Sequence, residues 1–180
     1  SVSVDTWGVD YVPLDGDGRP VTPGRCYRDD RTTRTLDGYR ARLDDEAAWA
    51  ATGIAPAVIN SSNQLFAYLT EEPEAAARTE RVLFLADYFT FLLTGIPGWS
   101  RSPASTSGLC VPGADAFSGD VLDALGIPAS WFGAVAPEHA VVGPCTVEGL
   151  GQLTVVRAGG HDTACAVHAL QRDTARDAYF

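Results

Sequence analysis

Gly159-Gly160-His161-Asp162-Thr163-Ala164-Cys165-Ala166-Val167 decides how this chain reads. Leu153, Val155 and Val156 just before it have strand character, the glycine pair breaks the strand, and the small residues after Asp162 suit a helix. Asp162 is therefore expected at a strand-to-helix junction, among free backbone N–H groups that stabilise negative charge. Such a junction can hold a general base or a phosphate, and it can equally be a plain N-cap aspartate.

The totals limit what surrounds this motif. With 180 residues, 46% of them hydrophobic, the chain can bury one good core, so one domain or a large part of one is expected. It has no methionine, opens on the strand-like Ser-Val-Ser-Val and stops at Ala178-Tyr179-Phe180 as another apolar run begins, which suggests a piece of a larger protein. The formal net charge of −10 argues against a nucleic-acid partner, which needs clustered cations, and favours a small-molecule ligand. All 13 basic residues are arginine, so the lysine of a Walker-type phosphate loop and Schiff-base chemistry are both excluded.

Cys26, Cys110, Cys145 and Cys165 contain no C-x-x-C pair, and reduced, mostly buried thiols are expected. The longest apolar stretch, residues 82–93, is broken by Asp87 and too short to span a bilayer, so the reading is cytoplasmic, without a membrane partner. Oligomeric state is not legible.

Along the chain, residues 1–14 alternate in apolar character, and Asp15-Gly16-Asp17-Gly18 turns them into a hairpin with Arg19-Pro20-Val21. That acidic turn has the wrong residues at three positions for a calcium loop. Helices are expected over 36–43, over 46–52 with Asp44 or Asp45 as cap and Gly53 as stop, over 60–70, from Pro73, over 82–93 ended by Gly95, and from the Ser118 cap to Leu125. Phe84, Tyr88, Phe91 and Leu92 read as core, residues 99–112 as a Ser-rich surface loop, and residues 141–142 and 153–156 as strands. This order is that of an α/β domain with some antiparallel pairing.

Three clusters carry chemistry: Asp5-Thr6-Trp7-Gly8-Val9-Asp10, Tyr27-Arg28-Asp29-Asp30-Arg31-Thr32, and Gly160-His161-Asp162-Thr163. Trp7 can stack on a sugar and Gly8 can let backbone approach it, although a strand tryptophan is also ordinary core. The Arg/Asp loop can position polar ligand groups or be a solvated ion-pair surface. His161 and His168 are too far apart on a helix to share a metal, His139 has no visible partner, and no metal site is expected.

Taken in order, Ser3 to Val12, Tyr27 to Thr32, Leu85-Ala86-Asp87-Tyr88-Phe89-Thr90-Phe91-Leu92-Leu93-Thr94-Gly95, Leu125-Gly126-Ile127-Pro128 and Gly159 to Val167 resemble the FGGY carbohydrate kinases, and within that family the rhamnulokinases. The resemblance implies a ribonuclease-H-like, actin/hexokinase-type ATPase fold, here incomplete. Residues 1–180 would be the later two-thirds of the N-terminal domain, ending at the junction with a C-terminal domain. It further implies phosphorylation of L-rhamnulose or a related deoxyketose at a primary hydroxyl, with ATP and Mg2+ as cofactors and most nucleotide contacts in other segments. Asp162 would be the catalytic base, with Gly8, His161, Thr163 and Trp7 at the sugar. A kinase for fuculose or xylulose, or a non-catalytic sugar-binding relative, remains open.

Overall fold

The computed structural model describes residues 1–170; the apolar run expected at residues 178–180 lies outside them. Its element order is β1 (Tyr11–Leu14), α1 (Arg31–Arg42), α2 (Asp45–Thr52), α3 (Ser61–Glu71), α4 (Pro73–Ala76), β2 (Arg81–Phe84), α5 (Leu85–Thr94), β3 (Trp99–Ser100), α6 (Arg101–Thr106), α7 (Gly119–Leu125), a 3-10 turn (Ala129–Trp131), β4 (Val135–Ala136), β5 (Val141–Pro144), β6 (Thr154–Val156) and α8 (Asp162–His168).

The strands join in pairs. β1 and β2 are antiparallel with Val12 opposite Leu83, β3 and β4 are parallel, and β5 and β6 are antiparallel with an irregularity between Val141 and Gly143. The N-terminal residues form parallel bridges from Val2 to Val155 and from Thr6 to His161, so the chain's beginning lies alongside β6 and the start of α8. This pairing, rather than a hairpin alone, accounts for the alternation in residues 1–9. The acidic turn does bring the chain back, with a bridge between Leu14 and Pro20 and Asp15 Oδ1 accepting from the Arg19 N–H.

The core lies between the β1–β2 ribbon and helices α1, α3 and α7. Leu14, Leu65, Leu83, Phe84, Val121 and Leu125 are all nearly inaccessible there, and each such side chain contributes roughly 1.5–3 kcal/mol by leaving water. Polar tips inside it are matched: the Tyr68 hydroxyl meets Thr79 Oγ1 at 2.8 Å, and the indoles of Trp131 and Trp99 donate to the carbonyls of Thr79 and Val82.

Several helix boundaries follow their local chemistry. Asp44 caps α2 by accepting from the Ala47 N–H, Gly53 ends that helix in a left-handed conformation, Pro73 opens α4, and Ser118 accepts from the Val121 N–H at the start of α7. Four expectations change. Residues 82–93 are not one helix: Val82, Leu83 and Phe84 form a buried strand on β1, and a short apolar run alone does not distinguish strand from buried helix. Residues 99–112 are not an exposed loop, since β3 and α6 lie there with Trp99, Ser100, Ala104 and Leu109 buried. α1 begins at Arg31, earlier than expected, because its N-terminal half buries Arg31, Thr32 and Thr35, which carry no apolar period. Leu92 is exposed rather than core.

Candidate active site

Backbone hydrogen bonds assemble the site from two distant stretches. The Thr6 N–H donates to the Gly160 carbonyl at 3.2 Å, and the Asp162 N–H donates to the Thr6 carbonyl at 2.8 Å. Trp7 and Gly8 follow directly, so the tryptophan-glycine turn lies against the His161-Asp162 turn. Gly8 is required by this approach: a β-carbon there would sit 2.3 Å from His161 Nε2.

His161 is the N-cap of α8 and Asp162 its first residue. The Thr163 N–H lies between two acceptors, Asp162 Oδ1 at 2.7 Å and His161 Nδ1 at 3.2 Å, and the shorter contact is the stronger. His161 Nδ1 is also 2.9 Å from Asp162 Oδ1; when Nδ1 carries a hydrogen it donates to that oxygen and no longer accepts from Thr163. Thr163 Oγ1 reaches the same oxygen at 3.3 Å. The imidazole is thus clasped between Gly8 and the carboxylate, while the Asp162 side chain remains 57% exposed. All of these carboxylate contacts are to Oδ1, so among the described residues Oδ2 has no hydrogen-bond partner and can accept a proton from a docked hydroxyl.

The turn that carries Trp7 is anchored from below. Trp7, half exposed, donates its indole N–H to Asp10 Oδ2 at 2.8 Å. Burial pushes the Asp10 carboxyl above its ordinary range, against the lowering effect of that hydrogen bond, and Asp10 Oδ1 has no hydrogen-bond partner among the described residues. Val9 has φ of 70°, a left-handed conformation costly for a β-branched residue. Its carbonyl accepts from Ser61 Oγ at 2.7 Å and from Gln64 Nε2 at 3.0 Å, which hold the strained peptide in place. Gln64 also accepts from Arg31 at 2.7 Å, so the Arg/Asp loop reaches the site through a buried amide rather than directly.

A cleft of about 580 Å3 opens between α6 and α8, with Ser102, Glu138, His139, His161, Thr163 and Cys165 among its walls. His161 and Thr163 thus line it, whereas Trp7, Gly8 and Asp162 do not. His139 does have a partner, its ring lying 5.2 Å from that of His168. Among the described residues, no group of three or more His, Cys, Asp or Glu is arranged to hold a metal ion, and no helix is long and apolar enough to cross a membrane.

Sequence reasoning missed Ser61, Gln64, Ser102 and Arg157. Each is a polar residue in a stretch read as ordinary helix, loop or strand end. The readable signal was Asp87, an acid inside an apolar run, which has to find a buried partner and finds Arg157.

Residues 1–168 match the model of the FGGY family of carbohydrate kinases, N-terminal domain. The chain is 36% identical over 169 residues to a rhamnulokinase from Klebsiella pneumoniae, covering 94% of this chain and 35% of that protein. It is 36% identical over 170 residues to a rhamnulokinase from Mannheimia succiniciproducens, covering 93% and 34%. The chain therefore spans about a third of the length of these curated relatives. Among solved structures, a xylulose kinase from Rhodospirillum rubrum superposes with a TM-score of 0.78 at 26% identity, covering 87% of this chain and 34% of that one. A gluconate kinase from Lactobacillus acidophilus gives 0.79 at 16%, over 89% and 34%, which bears on the fold alone. That shared fold is the ribonuclease-H-like one of the actin/hexokinase ATPases, here as a partial domain of mixed helix and strand. On the match of its residues 1–168 and its likeness to these kinases, the chain belongs to the FGGY family of carbohydrate kinases.

Proposed function

We propose that this chain is the later two-thirds of the N-terminal domain of an ATP-dependent sugar kinase, ending where a C-terminal domain joins it, and that the substrate is L-rhamnulose or a related deoxyketose. The observation that carries the reading is the contact between the Trp7-Gly8 turn and the His161-Asp162 turn, which brings a half-exposed indole and an exposed carboxylate onto adjoining turns. The rhamnulokinase relatives support the choice of sugar.

In this proposal Asp162 accepts the proton of the sugar's primary hydroxyl as that oxygen attacks the terminal phosphorus of ATP and the bond from that phosphorus to the ADP oxygen breaks, releasing ADP. Phosphoryl transfer depends mainly on positioning and charge stabilisation, so an aspartate within hydrogen-bond reach of the nucleophile suffices as base. His161 and Thr163 hold the carboxylate and face the sugar. Gly8 leaves room for the His161 imidazole and lets bare backbone approach the sugar, and Trp7 offers its indole face to the sugar's apolar side. ATP supplies the phosphoryl group, and Mg2+ accompanies it.

The intact protein should be given ATP with L-rhamnulose, L-fuculose or D-xylulose, and ADP release followed. The highest kcat/KM is expected with L-rhamnulose. A preference for xylulose would favour the second reading, that of the xylulose kinase with which the fold superposes. Sugar binding without ADP release for any ketose would contradict a kinase and favour a sugar-binding relative.

A further inference from the structure

We propose that Arg157 and Asp87 are positioning residues, a buried ion pair that fixes the Gly160–Asp162 turn and so aims the Asp162 carboxylate; this rests on Asp162 being the base. The two side chains are 6% and 1% exposed, with Arg157 Nη1 2.6 Å from Asp87 Oδ1. Burying two charges costs several kcal/mol per ion, and an apolar pair of similar volume is often as stable, so stability alone is a weak reason for the pair.

The geometry supplies a better one. Asp87 is on α5, Ser100 on β3, and Arg157 directly after β6, five residues before Asp162. Arg157 donates to Asp87 and, at 3.1 Å, to Ser100 Oγ. Ser100 gives its N–H to Asp87 Oδ2 at 2.9 Å and its hydroxyl to Oδ1 at 2.5 Å. Gly98 makes room for the guanidinium, since a β-carbon there would lie 2.2 Å from its nitrogen.

The ordered β3–α6 corner then presses on the site. Gly160, at φ of 67°, would place a β-carbon 3.1 Å from Pro103 Cδ and 3.2 Å from Ser100 Cβ, and the His161 N–H is shared between the Gly159 carbonyl at 2.7 Å and Ser102 Oγ at 3.2 Å. The five-residue span is thus held at one end by Arg157 and at the other by the Thr6 carbonyl on Asp162. Neither Arg157 nor Asp87 contacts the carboxylate of Asp162. A misplacement of about 1 Å at a reacting group costs on the order of 100-fold in rate.

The test uses the intact kinase carrying Arg157→Lys, or Asp87→Leu with Arg157→Met, the double variant leaving no unpaired charge. Thermal melts, sugar Kd by calorimetry, and kcat and KM at 25 °C are measured. The double variant is expected to melt cooperatively and bind sugar within about threefold of the parent while kcat falls about 30-fold or more. Arg157→Lys, which keeps one donor to Asp87, should recover part of that loss. A folded double variant with unchanged kcat overturns the proposal. If the double variant fails to fold, a folded Arg157→Lys enzyme with unchanged kcat overturns it, and one with kcat at least fivefold lower at unchanged KM supports it. Asp162→Asn, run alongside, separates the two ideas: inactive Asp162→Asn with a fully active double variant removes the positioning role alone, whereas active Asp162→Asn removes the base assignment and the positioning role with it.

Discussion

Gly8 and His161 are in direct apposition across 153 positions of sequence, so closely that a single added β-carbon would stand 2.3 Å from His161 Nε2. The contact joins the turn that carries Trp7 to the one that carries Asp162. It leaves no space for any other residue at position 8.

Gly8→Ala must therefore move the imidazole or the turn. Because the clash is with a side chain near the surface, the fold should survive, with a melting temperature within a few degrees of the parent. Sugar KM in the intact enzyme is expected to rise by about tenfold or more, as a group at the pocket wall shifts by several tenths of an ångström. Steady-state kinetics with the preferred ketose checks this, and an unchanged KM would detach Gly8 from the sugar.

Gln64 is fully buried, yet it serves Val9, Ile59 and Arg31 with one amide. Gln64→Leu has nearly the same volume and takes one hydrogen-bond partner from each of those groups. A loss of about 2–4 kcal/mol is expected, since orphaned buried polar groups each cost about 1–3 kcal/mol. Urea denaturation measures it. Sugar affinity should fall as well, because the strained Val9 peptide loses one of its two anchors.

Alkaline stability tests the buried ionisable groups. Burial pushes the Cys110 thiol from its usual 9.0 up to about 12, and it also drives the Tyr11 hydroxyl upward. A group that holds its proton more tightly when folded contributes fully below its unfolded pKa, and that contribution is lost as pH rises toward the folded one. Stability should therefore decline between about pH 9 and 12. Cys110→Ala should remove roughly 2 kcal/mol of the decline between pH 8 and pH 10.5, as read from melts at the two values. Below pH 8 the slope with pH should match the parent.

Much of the local architecture was legible because it rests on nearest-neighbour chemistry. The Asp44 and Ser118 caps, the Gly53 stop and the Asp162 junction each depend on residues a few positions apart. What escaped depends on long-range pairing. Val82-Leu83-Phe84 becomes a strand because β1 lies beside it, and the buried hydroxyl of Ser100 is matched by Asp87 and by Arg157, 57 positions away. In the site, the types of Trp7, Gly8, His161, Asp162 and Thr163 were visible as motifs. The supports beneath them were not, since Ser61, Gln64 and Arg157 carry no local pattern to mark them.

The central claim is that Asp162 takes the proton of the sugar hydroxyl, and the most direct measurement is kcat for Asp162→Asn in the intact protein beside its sugar Kd. The amide keeps the size and one acceptor oxygen but cannot serve as the base. The account predicts a kcat lower by about 10²–10⁴-fold with sugar Kd within a few fold of the parent. Turnover at the parental rate would contradict it.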